Sequence, residues 1–124
     1  MLTIGQRGEV LAQDFLKSKG YEFLCSNYHS RYGEIDIIMQ NAEYIIFVEV
    51  KTRGLNSFVR GLESVSKNKR KKIIKTAFVY LMNNTSEKQP RFDVISIIKD
   101  YKTKTVKIHH MENAFDAEEY DAFF

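Results

Sequence analysis

The stretch YIIFVEVKTRG, residues 44–54, constrains the fold more than any other part of the chain. Side chains alternate faces along a strand, so Ile45, Phe47, Glu49 and Lys51 share one face while Tyr44, Ile46, Val48 and Val50 share the other. Both faces are apolar over most of their length, and such a strand sits centrally in a sheet covered on both sides. Its far end then carries a carboxylate and an ammonium into partly desolvated surroundings, where an unexplained charge is costly.

The rest of the chain supplies the covering layers. Thr3 with Gln6 three residues later resembles a capping box, and Gly20 is a good helix stop, which predicts a helix over 4–19. Its expected buried stripe is Ile4, Leu11, Ala12 and Phe15, with Gly8 allowing close approach. Strands are predicted near 22–28, 34–40 and 43–51, and SKNKRKKIIKTAFVYLMNN reads as a second helix with a stripe of Ile73, Ile74, Ala77 and Leu81. A polar loop holding the only proline, Pro90, leads to strands near 92–98 and 105–110. The order α-β-β-β-α-β-β predicts an α/β domain with a central mixed sheet flanked by helices. Its 124 residues and 44% apolar content suit one domain with one sizeable core. We place that domain at 1–115, followed by an acidic tail at 116–124.

The preceding strand offers a partner for Glu49. GEIDIIMQ places Asp36 in another apolar run, and the short QNAE connection predicts a hairpin. Registers closed by a two- or four-residue loop put Asp36 on the same face as Glu49, and a slip of one residue would separate them. Taken singly, Asp36 reads as a solvated turn residue, and Glu49 with Lys51 as a surface pair. Together they are harder to explain that way, because two carboxylates about 4 Å apart repel by roughly 4 kcal/mol at an effective dielectric of about 20. A cation between them removes the repulsion, and hard oxygen ligands favour Mg²⁺ or Mn²⁺. A metal on two carboxylates beside a lysine can activate water and stabilise a phosphoryl transition state.

These residues resemble a known group. Asp36 followed thirteen residues later by Glu49-Val50-Lys51 is similar to the D…(D/E)-x-K signature of restriction-endonuclease-like nucleases. More closely, GEIDIIM, FVEVKTR, RFDVI and NAF resemble the YraN family of bacterial proteins, itself similar to archaeal Holliday-junction resolvases. The likeness runs from Gly8-Glu9 to Asn113-Ala114-Phe115. It implies a restriction-endonuclease-like fold, with Asp36, Glu49 and the Val50 carbonyl as metal ligands and Lys51 orienting water or stabilising developing charge. Ile35 stands where the wider superfamily commonly has proline. Glu9, on the flank of the first helix, resembles the helix-one acid of the resolvases, an additional ligand; a solvated helix residue is the alternative. Lys69 matches the family's helix lysine and precedes Ile73 by one turn, leaning toward the sheet edge. The resolvase likeness implies branched or structured DNA as substrate, ahead of RNA. A homodimer follows only from the symmetric cutting of resolvases.

Charge patterning adds to this reading. The net charge is +3, but residues 112–124 hold five acids and no Lys or Arg, so the remainder sets 19 cations against 11 acids, or +8. A basic body suits a polyanionic partner. KNKRKKIIK packs six cations into nine residues at a helix start, where they oppose the macrodipole by roughly 0.3–1 kcal/mol each. A solvated face is the ordinary reading, but contact with a phosphate backbone explains the placement. Lys69, Arg70 and Lys72 are the candidate contacts, joined by Arg53 and Arg60 from the glycine-containing loop. Tyr28, His29 and Arg31 are candidates for stacking or contact, though packing is the commoner role. Arg91 and Asp93 read as a structural pair, and His109 and His110 have no metal-ligand spacing. The single Cys25 excludes an internal disulfide framework and reads as a small core residue on a strand. MLTIGQRGEV lacks a signal peptide's apolar segment and nothing approaches a membrane span, so a cytoplasmic location is expected. The nuclease reading has two rivals: a binding module of the same fold that does not cleave, and an interaction protein whose acids and lysines form a structural network.

Overall fold

A computed structural model describes residues 1–54 and 65–118. The elements are α1 (Ile4–Ser18), β1 (Glu22–Ser30), β2 (Gly33–Gln40), β3 (Tyr44–Gly54), α2 (Lys67–Asn83), β4 (Gln89–Asp100) and β5 (Thr105–Phe115). The five strands form one sheet in the order β1-β2-β3-β4-β5. The β3–β4 pair is parallel, as the intervening α2 requires, and the other pairs are antiparallel. This is the expected α-β-β-β-α-β-β domain, a mixed sheet flanked by helices. Among the described residues no helix is long and apolar enough to cross a membrane.

β3 lies at the centre, as its two apolar faces require. Ile45 and Phe47 join the core under α2, with Ile73, Ile74, Ala77 and Tyr80 from the helix. Ile46 and Val48 join the core under α1, with Ala12 and Leu16. An aromatic chain runs through the α2 side: Tyr28 meets Tyr80 edge-on, Tyr80 meets Phe47 edge-on, Phe47 stacks on Phe92, and Phe92 stacks on Phe115. Such pairs add about 0.5–1.5 kcal/mol each beyond the area they bury.

Three local expectations change. The buried stripe of α1 is Gly8, Ala12 and Leu16, whereas Ile4 is 59% and Leu11 36% exposed. Phe15 packs only partly against the core. The reason is a contact that periodicity does not reveal: Gly8 sits directly on Thr52 of β3, and a side chain there would strike the Thr52 hydroxyl. That contact sets the rotation of the helix. In α2, Tyr80 is the buried member and Leu81 is peripheral. β5 runs on to Phe115, which is buried, so NAF is the end of a strand. Cys25 is half-buried at the margin of the α2-side core. The Thr3–Gln6 capping box is present, with Thr3 Oγ1 accepting the Gln6 N–H at 3.1 Å and Gln6 Oε1 accepting the Thr3 N–H at 2.9 Å. Gly20 ends the helix region at φ +93°.

The Gly8 contact yields a test. In an unconstrained helix interior Gly→Ala stabilises by about 1 kcal/mol. Here Gly8→Ala should instead destabilise by about 1–3 kcal/mol through overpacking, and adding Thr52→Ala should recover part of the loss. Urea melts of the three variants check this; a stabilised Gly8→Ala protein would refute the contact.

Candidate active site

The β2–β3 ladder runs from Gln40↔Ile45 to Ile37↔Val48 and then stops. One step further Asp36 faces Glu49, the juxtaposition expected from the hairpin register. Where the strands part, the Asp36 carboxylate takes over the missing acceptor: the Val50 N–H donates to Asp36 Oδ2 at 2.8 Å. Strict alternation would put Ile35 with Ile37, yet Ile35 lies in the core under α2 and Ile37 in the core under α1. The strand therefore rolls over at Asp36. Across from it, Asn27 of β1 adopts the left-handed conformation, φ 52°, between the pairs Ser26↔Ile37 and Tyr28↔Ile35.

Glu49 is only 5% exposed. Lys69 Nζ reaches its Oε1 at 2.8 Å from α2, and Lys51 Nζ stands 3.6 Å from the same oxygen. Burial and the Glu49 charge together push the Asp36 carboxyl up to about 7, against the help of the Val50 N–H. Burial also lowers the Lys51 ammonium, and the neighbouring Lys69 adds to that. For Lys69 burial acts downward as well, but its contacts with Glu49 outweigh it and the ammonium titrates above the ordinary lysine range. Glu9, next to the Gly8 contact, is raised by burial, with the charges of Glu34 and Glu49 adding to it and the neighbouring Asn27 and Asp36 side chains acting against it. Thus Glu9, Asp36, Glu49, Lys51 and Lys69 come together from two strands and both helices.

The donor chemistry fits a hard divalent cation. Glu9, Asp36 and Glu49 offer carboxylate oxygens, and burial together with the charges of neighbouring acids holds Glu9 and Asp36 at raised proton affinity. The Val50 backbone sits between Glu49 and Lys51, with its side chain turned toward the core under α1. As arranged, no three His, Cys, Asp or Glu side chains among the described residues stand close enough to hold an ion. An ammonium, that of Lys69, fills the place beside Glu49.

The other candidates divide. Lys72 lines a small groove of about 280 Å³ with Gly33, Glu34, Ser66, Asn68 and Lys69. Arg53 extends the line of Glu49 and Lys51 along β3, and its Nε is buried without a partner among the described residues. Arg70 is turned elsewhere: its Nε donates to the Val65 carbonyl at 2.9 Å and its guanidinium lies over the Phe115 ring. Arg60 lies outside the described residues, as does the acidic tail beyond Glu118. Tyr28 packs on Tyr80, His29 approaches Glu34 at 3.4 Å, and Arg31 donates to the Tyr32 hydroxyl.

Sequence reasoning found only part of one cluster, near the start of β4, and missed its histidine. Arg91 grips fully buried Asp93 with two hydrogen bonds of 2.9 and 2.8 Å, as the expected structural pair. His110 Nε2 also reaches Asp93, at 2.7 Å, and Lys19 Nζ reaches His110 Nδ1 at 2.9 Å. An ammonium only donates, so Nδ1 accepts and Nε2–H points at Asp93. The Asn113 N–H completes the shell. Burial pushes the Asp93 carboxyl up, but these donors overcome it and hold it below the ordinary value. No spacing signal announces His110; only the β4–β5 register brings it within reach.

The raised Asp36 carboxyl makes stability depend on pH. Its folded value exceeds the unfolded one, so the stability it contributes is complete below about pH 4 and is lost as pH rises through about 7. Asp93 acts with the opposite sign, so the comparison must be with a variant. Between pH 4 and 8, wild type should lose on the order of 2–4 kcal/mol relative to Asp36→Asn in metal-free buffer. Parallel pH profiles from urea melts would show that Asp36 is not strained by its neighbours.

Known proteins share this sequence along most of its length. Residues 8–97 match the family described as uncharacterised protein family UPF0102. A UPF0102 protein of Legionella pneumophila is 44% identical over 115 residues, covering 91% of this chain and 94% of its own length. A UPF0102 protein of Persephonella marina is 42% identical over 113 residues, covering 90% and 92%. A third, from Caldanaerobacter subterraneus, is 41% identical over 115 residues, covering 91% and 94%. The matched region contains Glu9, Asp36, Glu49, Lys51 and Lys69, and the chain belongs to the UPF0102 family, the YraN group that its motifs resemble.

Proposed function

We propose that this protein is a metal-dependent endonuclease that hydrolyses phosphodiester bonds of nucleic acid. One observation carries the reading: Asp36, Glu49 and Lys51 converge where two central strands part, beside the cation-rich start of α2. Asp36 and Glu49, with the Val50 carbonyl and Glu9, would hold Mg²⁺ or Mn²⁺. The bound ion supplies Lewis acidity toward water and a phosphoryl oxygen. Lys51, with its ammonium lowered by burial, orients the attacking water and meets charge developing on the phosphate. Lys72 and Arg53 steer the backbone, and Arg70 supports them by fixing the approach to α2. DNA, branched or structured, is the substrate class that the resolvase likeness favours, cut in the cytoplasm by a homodimer.

A second reading has one observation in its favour. Glu49 is already ion-paired with Lys69 and Lys51, as in an interaction protein whose acids and lysines form a structural network. Such a protein would show neither nucleic-acid affinity nor a metal response, whereas a binding module of the same fold would show salt-sensitive binding and no turnover.

Two experiments separate these readings. With junction, flap, single-stranded and duplex DNA in Mn²⁺, Asp36→Asn, Glu49→Gln and Lys51→Ala should each lower cleavage by about 10²-fold or more while most binding remains. Cleavage that survives all three changes moves the active site elsewhere, and wild type without turnover supports the binding module. In salt titrations on duplex DNA, Lys72→Ala and Arg53→Ala should each reduce the log–log slope by about 0.9 for every phosphate left without its cation. Arg70→Ala should act mainly on stability, through Val65 and Phe115; unchanged slopes for Lys72 and Arg53 would clear this surface of a role in holding the backbone.

A further inference from the structure

A metal ion ligated by Glu49 would meet Lys69 in the same place. The Lys69 Nζ lies 2.8 Å from Glu49 Oε1, nearer than Lys51 at 3.6 Å. A Mg²⁺ ligated by that carboxylate would sit at about 2.0–2.1 Å, in the space beside the ammonium, and the two cations would repel. Glu49 is buried at the end of the central strand, which leaves its side chain little room to turn away. The Lys69 backbone is pinned too, because its N–H donates to the Ser66 hydroxyl at the helix cap, 3.2 Å away. The side chain is different: 41% exposed, on a flexible stem, it is free to swing. The groove beside it is lined by Gly33, Glu34, Ser66, Asn68, Lys72 and Ile73, and Glu34 also approaches His29. A second lysine and the start of a helix suit that groove to phosphate oxygens.

We propose that Lys69 is a built-in counter-cation, which neutralises Glu49 in the metal-free protein and is displaced by a divalent cation into the Lys72 groove, where it meets nucleic-acid phosphate. The inference rests on the metal-site reading of Asp36 and Glu49. It makes metal loading and phosphate binding reciprocal, since the ion that takes Glu49 frees the ammonium for the substrate. It also predicts a sign opposite to that of a residue that helps to hold the metal: removing Lys69 strengthens metal binding.

Calorimetric titration of the full chain with MnCl₂, without nucleic acid, tests this. Lys69→Met should bind Mn²⁺ about tenfold more tightly than wild type, equivalent to about 1.4 kcal/mol. Lys69→Gln should do the same if the apolar replacement disturbs α2. Lys75→Met removes an equal charge further along the helix, where Lys75 lies over the Tyr32 ring, and should change affinity less than about twofold. Wild type that binds Mn²⁺ while both Lys69 variants bind it equally or more weakly would overturn the counter-cation role and leave the metal site standing. Absence of Mn²⁺ binding in every protein would overturn both.

Discussion

Glu49 rides on a strand that has no solvent face, and the chemistry of this molecule is organised around that constraint. The residues before it on β3 are clamped between two cores, Ile45 and Phe47 under α2 and Ile46 and Val48 under α1. The carboxylate therefore emerges at a fixed point, almost without water, and its surroundings must supply compensation. Two lysines do so, one from its own strand and one from the helix above. Asp36 arrives at the same point because β2 leaves the ladder just there and takes the Val50 N–H with its side chain. On the opposite face the Gly8–Thr52 contact presses α1 onto β3, bringing Glu9 to Asp36.

The molecule buries carboxylates in two places and treats them differently. Asp93 is enclosed by Arg91, His110 and the Asn113 N–H, and the sum of those donors keeps it ionised despite complete burial. It is a settled network, and removing one partner would leave a buried charge unpaired, at a cost of several kcal/mol. Asp36 has one backbone donor and faces two other acids, so burial and repulsion dominate. A structural acid is surrounded by donors, whereas Asp36 has one and is raised by burial and by its acidic neighbours even with Lys69 at hand. That perturbation supports the functional reading better than the signature residues do alone, since perturbed groups gather at working sites.

Both aromatic and basic segments take their positions from the same frame. The ring chain from Tyr28 to Phe115 ties β1, α2, β3, β4 and β5 into the larger core, and Arg70 closes its far end over Phe115. The cations of the first turns of α2 are consequently sorted by geometry. Lys69 faces Glu49, Lys72 faces the groove, and Arg70 secures Val65. A run that looks uniform in sequence has members with separate roles.

The sequence by itself determined the element order, the central place of β3, and the meeting of Asp36 with Glu49. Each follows from short-range physics: periodicity, capping, and a hairpin whose loop length fixes register. Helix capping at Thr3 and the stop at Gly20 belong to the same class. What the tertiary structure decided lies in contacts between distant segments. The buried face of α1 was set by Gly8 meeting Thr52, so Ile4 and Leu11 were left exposed where periodicity expected burial. His110 was drawn into the Asp93 shell by strand pairing. Lys69 was recognisable as a residue leaning toward the sheet, but its hold on Glu49 depends on how α2 lies across the β3 strand end. Local pattern carries no information on helix rotation or on which of several cations reaches a buried acid, because both are fixed by packing between elements far apart in the chain.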